Sequence, residues 1–467
     1  MTTRLCTTLL TVFSLAFGIH SVFCQQTDTS SYFPLGVWGI WIDYENPPYT
    51  RDITVDEWDR EHTNWANLHG NYLVYFIPVQ VEDEVMQFSD NNGYRMDIAG
   101  YDKSDPASYA NSLEGWVRFS NMADTNTAIA LINNLWTQLQ VHQGWYNYTF
   151  GSEFTVSDDS GRPAVDRWPL VQFVSERIRQ TDPQRKSVTD AAHSWNTGEF
   201  LNACPSLDVL RMDAYFFQTG DGKEYDDQQS DFDDCLIHYN NIMNNTRGKW
   251  TEWQLIGQSQ QEPNNGLRRP NYYEVRAQAF LALSRGARGV TFYVYGTHIA
   301  DGNPPGDVIS RYGLVNSARI PYDRFSDPGG EDAFLNVVNV FQELAPIGST
   351  LRKLRIYNAF PGSSVPAGNS ANIASVSHSY DGDNRIEVGT FKRIDRGTDS
   401  TSYFILANRV CNDANGNVTP SQTATVSING GRYYIIDQST GVTYWGTYDP
   451  GTNRSSFVLT LESGHGR

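Results

Sequence analysis

Short apolar runs alternate with amphipathic stretches along the first three quarters of the chain. The runs Leu35–Ile42, Tyr72–Pro78, Trp145–Phe150, Asp208–Phe217, Trp253–Gln258 and Gly289–Tyr295 are nearly continuous, as strands of a parallel sheet covered on both faces tend to be. Two weaker strands are expected at Arg95–Ala99 and Ser187–Ala191. Between them apolar residues recur at helical spacing: Trp58, Trp65 and Leu68; Ile129, Ile132, Trp136 and Leu139; Leu170, Val174 and Ile178; then Val275, Ala279 and Leu283, with Gly286 as a stop. Eight strand-then-helix units predict a closed barrel. A doubly wound nucleotide fold would open on a glycine-rich phosphate turn, and neither GxGxxG nor GxxxxGK[ST] occurs. Thr297–Glu331 is expected to be a loop, followed by a helix over Ala333–Leu344.

Beyond Leu354 the period changes to two. Alternating strands are expected at Ile373–His378, Ile386–Phe391, Tyr403–Val410, Thr423–Ile428, Tyr433–Asp437 and Phe457–Leu461, with Asn429-Gly430-Gly431 as a hairpin turn. The predicted fold class is therefore α/β: a (β/α)8 TIM barrel over residues 25–350, carrying the candidate catalytic site, then an all-β sandwich over 351–467. Residues 1–24 have the features of a secretory signal peptide, with Arg4 ahead of the apolar stretch Leu9–Phe23. Cleavage near Cys24 would leave Gln25 first, a lipid anchor on Cys24 being the lesser alternative. The closing Ser463–Arg467 resembles the turn before a further sandwich strand.

A secreted, extracellular protein meets an oxidising compartment, where Cys204–Cys235 is the expected disulfide and Cys411 is left over. Glycosylation sequons stand at Asn147, Asn244, Asn417 and Asn453. With 53 acidic residues against 35 basic ones, the formal net charge is −18. No cluster of Lys and Arg is present to neutralise phosphates, so nucleic acid and anionic lipid are poor partners. No later segment is apolar enough to cross a bilayer. The histidines form no HExxH pair and no zinc spacing, GxSxG is absent, and Asp226–Asp234 lacks calcium-loop spacing. No metal or cofactor is expected.

Barrel enzymes carry their chemistry at the C-terminal ends of the strands. The fourth strand ends in Gly151-Ser152-Glu153-Phe154, where apolar neighbours suit Glu153 to be a general acid. Glycoside cleavage needs two carboxyl groups. Asp213, on the sixth strand, and Glu262, after the seventh, are the candidate partners. An Asp inside a barrel is often held by an arginine, but Arg211 is expected to point to the opposite face. Trp41, Asp43, Asp190, His193, Trp195, Gln258, Gln260, Tyr293 and Tyr295 are candidate substrate-binding groups at the rim, since amides, acids and phenols bond sugar hydroxyls and Trp faces stack on sugar rings. Taken singly, each is as well explained by packing or capping.

Several of these stretches resemble one enzyme group. The opening FPLGVWGIW, Trp65–Pro78, the strand-four end with Glu153, and Val275–Gly296 (VRAQAFLALSRGARGVTFYVYG) are similar to the β-galactosidase-like members of glycoside hydrolase clan A; Tyr312–Pro346 resembles the segment before their C-terminal sandwich. The resemblance implies an acid/base at the end of strand four and a nucleophile at the end of strand seven. Glu153 fits the first, with Ser152 where Asn is usual. At the second, Gln258 stands where Glu is expected, and Glu262 lies further along. Asp213-Ala214-Tyr215 matches an Asp-x-Tyr found on strand six of some similar barrels, which adds Tyr215 to the binding set. The expected function is a secreted glycoside hydrolase cleaving an extracellular poly- or oligosaccharide. The alternative is a non-catalytic carbohydrate-binding or structural protein on a hydrolase-derived scaffold, with Gln258 marking lost catalysis.

Overall fold

The computed structural model describes residues 32–41, 55–76, 82–98, 111–151, 154–155, 163–192, 194–217, 228–300, 308–316, 318–379, 385–394, 401–411 and 421–467. Eight parallel strands close into a barrel in chain order: β1 (Leu35–Trp41), β2 (Tyr72–Phe76), β3 (Arg95–Ile98), β4 (Trp145–Thr149), β5 (Lys186–Ala192), β6 (Val209–Ala214), β7 (Glu252–Gln258) and β8 (Val290–Tyr293). Closure is made by β1, which pairs with β2 through Gly36↔Tyr72 and with β8 through Leu35↔Val290. Gly36 is required at this seam, because a Cβ there would lie 1.7 Å from the Tyr72 carbonyl oxygen.

The surrounding helices are α1 (Val55–Asn67), α2 (Glu82–Asn92), α3 (Leu113–Phe119), α4 (Thr125–Leu139), α5 (Trp168–Thr181), α6 (Thr197–Ala203), α7 (Gln228–Thr246), α8 (Tyr272–Ser284) and α9 (Ala333–Leu351). Their apolar faces meet the outward residues of the strands in one core that includes Trp65, Ile132, Val174, Tyr239, Leu283 and Phe341. Part of the segment expected to be a loop is an antiparallel hairpin, β9 (His298–Ala300) with β10 (Val308–Arg311). Strands this short carry too few residues to display a period.

Antiparallel strands follow: β11 (Leu354–Pro361), β12 (Ile373–His378), β13 (Ile386–Arg393), β14 (Tyr403–Asn408), β15 (Gln422–Asn429), β16 (Tyr434–Ile436), β17 (Thr443–Trp445), β18 (Thr447–Asp449) and β19 (Arg454–Leu461). They form sheets ordered β11-β13-β14 and β12-β15-β19-β18, plus the ribbon β16-β17. Apolar side chains from the two larger sheets, among them Val388, Leu406, Val426 and Phe457, make a second core. Strands β11, β17 and β18 went unexpected. The turn at Asn429–Gly431 is not a hairpin: β15 pairs with β12 and β19, while β16 pairs with β17, so these residues carry the chain from one sheet to another. Gly430 and Gly431 have φ of 106° and 137°, which suits a change of direction as well as it suits a tight turn.

Helix α8 joins the two cores. Every residue from Glu274 to Ser284 is buried, because β7 lies on one side and β13 and β14 on the other. Its buried ions are matched: Arg276 reaches Glu343 at 2.7 Å and Glu462 at 3.0 Å, and Arg285 pairs with Glu387. At Gly389 on β13 a Cβ would lie 2.1 Å from the Ser284 carbonyl oxygen, so only glycine lets the sheet approach the end of this helix.

Candidate active site at the barrel mouth

The barrel interior is layered, and its lower layers are structural. Side chains two apart on a strand share a face, so Arg211 and Asp213 both belong to the inward face of β6, which corrects the expectation that Arg211 points away. Arg211 is fully buried at mid-barrel. Its Nε donates to Asp190 Oδ1 at 2.6 Å and its Nη1 to Asp97 Oδ2 at 3.2 Å. Asp97 also accepts from Tyr72 OH, from Asn147 Nδ2 at 2.8 Å and from Thr149 Oγ1 at 2.9 Å. Burial raises the Asp97 carboxyl and pushes Asp190 up to about 6, against the pull of Arg211. Asp190 is therefore a core ion partner, not a rim group. Asn147 is buried in the same network, so the folded chain offers no glycan acceptor there.

The uppermost described layer gathers residues from β1, β6, β8, β10 and the loop after β7. Asp213 is half-buried. Burial, and the nearness of Asp213, Tyr293 and Glu262, hold the Tyr215 phenol well above its ordinary range, with Arg311 pulling the other way. Tyr215 is thus a neutral O–H donor beside two acids. The Tyr215 and Tyr293 rings lie 5.3 Å apart, and Trp38 stands 5.0 Å from Tyr293, forming an aromatic wall. Arg311 reaches in from β10: its Nε lies 3.1 Å from Glu262 Oε1, and its Nη1 donates to Tyr293 OH. Glu262 is buried. It further accepts from Asn265 Nδ2 at 2.6 Å and from Gln260 Nε2 at 3.3 Å, so three donors orient one carboxylate.

Of the expected site residues, the structure brings together Asp213, Tyr215, Gln260, Glu262 and Tyr293. Others are placed elsewhere. Gln258 is a latch: its Oε1 accepts from Phe217 N at 2.9 Å, and its Nε2 donates to Phe217 O at 3.1 Å and Arg268 O at 2.9 Å. Tyr295 faces outward and bonds Glu61 on α1, because it lies two beyond the inward Tyr293 after the strand has ended. Trp195 is exposed beyond β5, with its ring edge-on to His238. Trp41 ends β1, but its side chain, like Asp43, Glu153 and His193, lies outside the described residues. The flanks of Glu153 are anchored: Gly151 O accepts from Asp190 N at 3.3 Å and Thr189 Oγ1 at 3.1 Å, and Phe154 O accepts from Trp168 Nε1 at 2.9 Å.

Sequence reasoning missed Arg311, Trp38, Asn265 and Asp97. Arg311 sat in a stretch assigned to a loop, although Trp38 and Asp97, on predicted strands, were recoverable from inward parity. The Cys204–Cys235 disulfide is not formed. Cys204 Sγ donates to the Trp168 carbonyl at 3.3 Å, Cys235 is buried in the same core, and both are free thiols whose ionisation burial opposes. Asn244 and Asn453 are exposed, and Asn417 lies outside the described residues. Among the described residues no group of three His, Cys, Asp or Glu is arranged to hold a metal, and no helix is long and apolar enough to cross a membrane.

The fold is a (β/α)8 barrel carrying a C-terminal sandwich. No family model matches the chain, and no curated protein matches it. Among solved structures it is similar to β-galactosidase from Rahnella sp. R3, at 12% identity and TM-score 0.49 over 71% of this chain and 58% of that one. β-Galactosidase from Marinomonas ef1 follows at 11% and 0.47, over 69% and 62%. Ruminococcus gnavus β-glucuronidase gives 12% and 0.45, over 67% and 50%, so this chain spans about half the length of that enzyme. At such identity the likeness is one of fold alone.

Proposed function

We propose that this chain is a secreted glycoside hydrolase whose barrel mouth cleaves a glycosidic bond of an extracellular oligo- or polysaccharide. The observation that carries the reading is the convergence of Asp213 and Glu262 around Tyr215, beside the Trp38–Tyr293 wall. An oxocarbenium-like transition state develops positive charge at the sugar, and carboxylates at the mouth would supply the opposing field. Glu262, oriented by Arg311, Asn265 and Gln260, is assigned the role of charged carboxylate. Glu153, at the anchored exit of β4, is assigned the proton donation to the leaving oxygen. Asp213 and Tyr215 are assigned to sugar hydroxyls, and the aromatic wall to the C–H face of the ring.

A second reading, glycan binding without turnover, is favoured by one observation: Gln258 occupies the position where the resemblance implies a nucleophile, and its amide is committed to backbone groups. Reducing-sugar release over a glycan panel, for wild type, Glu153→Gln and Glu262→Gln, separates the two. Hydrolysis predicts a loss of roughly 100-fold or more for each variant. Equal rates in all three overturn the assigned roles, and binding with no release by wild type overturns hydrolysis.

A further inference from the structure

Away from the mouth, a cavity of about 600 Å³ opens where the sandwich meets the barrel, between α9, β14 and the β16–β17 ribbon. This is within the usual range of small-molecule sites, roughly 300–1,000 Å³. Its walls are unlike a packing defect. Tyr403, Tyr434 and Tyr444 present ring surface, while Asn372, Asp437 and Arg467 present polar groups.

Two of those polar groups are incompletely satisfied. Asp437 is 8% exposed. Its Oδ1 accepts from Ser439 N at 2.8 Å and Ser439 Oγ at 2.6 Å, but its Oδ2 is buried with no hydrogen-bond partner among the described residues. Arg467 donates from Nη1 to Tyr444 OH at 2.7 Å, yet its Nε is likewise buried and unbonded. The two atoms stand 3.7 Å apart, too far for a hydrogen bond and close enough for one oxygen to serve both. They form an ion pair too long for a hydrogen bond, and a group bonded to both would replace that contact with two hydrogen bonds.

We propose that this cavity is a second ligand site, separate from the barrel mouth, and that it takes a short neutral saccharide. The group that answers both open atoms is a hydroxyl, which donates to Asp437 and accepts from Arg467 at once. An anionic ligand is opposed by Asp437, and a cationic one by Arg432 and Arg467, which also line the cavity. A neutral polyhydroxylated ring meets the polar pair with its hydroxyls and the tyrosines with its C–H face. A site there, at the end of α9 and away from the mouth, would hold a glycan without contributing to bond cleavage.

The test is calorimetric titration of the full chain with neutral di- and trisaccharides, with a uronic-acid disaccharide as the charged control. Wild type is expected to bind a neutral member. Asp437→Asn and Arg467→Gln are each expected to weaken it tenfold or more, and Glu262→Gln to leave its affinity within twofold. Thr350→Trp, which fills the cavity from α9, and Tyr434→Ala, at a half-exposed ring, are expected to weaken binding with the melting temperature unchanged; they decide the matter should the polar variants not fold. Failure to bind any neutral saccharide, equal binding of the acidic one, or loss of binding in Glu262→Gln alone would each overturn the proposal. The last outcome assigns the saccharide to the mouth, and the first leaves water as the group between Asp437 and Arg467.

Discussion

The two ends of the barrel treat charge in opposite ways. At the N-terminal end one acid meets three cations: Glu252 lies 3.0 Å from Lys186, 3.1 Å from Arg288 and 3.0 Å from Arg352. Those cations outweigh burial and hold the Glu252 carboxyl well below its usual range. At the C-terminal end two acids, Asp213 and Glu262, converge on Tyr215, with Arg311 paired to Glu262 and Tyr293 beside them. The first arrangement completes itself within the protein. The second sets acids beside Tyr215 and the Trp38–Tyr293 wall, where a bound molecule or a transition state can meet them. Barrels place stability at one face and chemistry at the other, and here the first is a closed ion cluster around Glu252 and the second a gathering of acids and aromatic rings.

The comparison breaks most sharply between the ends. Arg211→Met leaves Asp97 and Asp190 buried without their cation, and is expected to cost about 3–5 kcal/mol, read from the urea midpoint at pH 7. Glu252→Gln, at the sealed end, is expected to cost about 3 kcal/mol by the same logic, with the turnover of the folded fraction unchanged. Because the Glu252 carboxyl is depressed in the fold, its contribution is present above the unfolded value of about 4.3 and is lost as the pH falls through the folded value. The variant should flatten the acid limb of the stability curve.

At the mouth the ordering reverses. Glu262→Gln is expected to lower turnover roughly 100-fold while costing less stability than Glu252→Gln, because Arg311, 34% exposed, can be solvated once its partner is gone. A large destabilisation with turnover intact would assign Glu262 to structure and remove the contrast between the ends. The smallest effect comes from mid-barrel. Asp190 titrates at about 6 in the fold, above an unfolded value of about 3.9. Its stabilising contribution is therefore full below about pH 4 and is lost as the pH rises to about 6. Asp190→Asn should remove that decline in midpoint across the same window, and an unchanged slope would mean that Arg211 outweighs burial there.

Six of the eight barrel strands were legible because continuous apolar runs leave little else for a chain to do, and β7 and β8 came within two residues of their observed ends. The helix over 275–283 was legible too, but the reason for its composition was not. It is buried on every side, so its partner on the sandwich side, Gly389, is a constraint between residues more than a hundred positions apart. Of the candidate site, Asp213, Glu262 and Tyr293 were found by asking what stands at strand ends, and Tyr215 by the Asp-x-Tyr resemblance. Asp190, Gln258 and Tyr295 met the same criterion and proved structural, because a strand's exit does not say how deep a side chain sits or what already bonds it. The Cys204–Cys235 pairing failed for the same reason: two cysteines near the middle of a chain need not face each other.

The order of apolar and polar residues by itself determined the alternation of strands and helices, the change to an antiparallel C-terminal region, and the excess of acid over base. These follow from local periodicity and composition, which each segment carries alone. Tertiary structure decided the rest: that Arg211 is shared by Asp97 and Asp190, that Arg311 crosses from a hairpin to Glu262, and that Asp437 and Arg467 meet as a long ion pair in the sandwich. Such pairings depend on distances between segments remote in sequence, and only folding sets them.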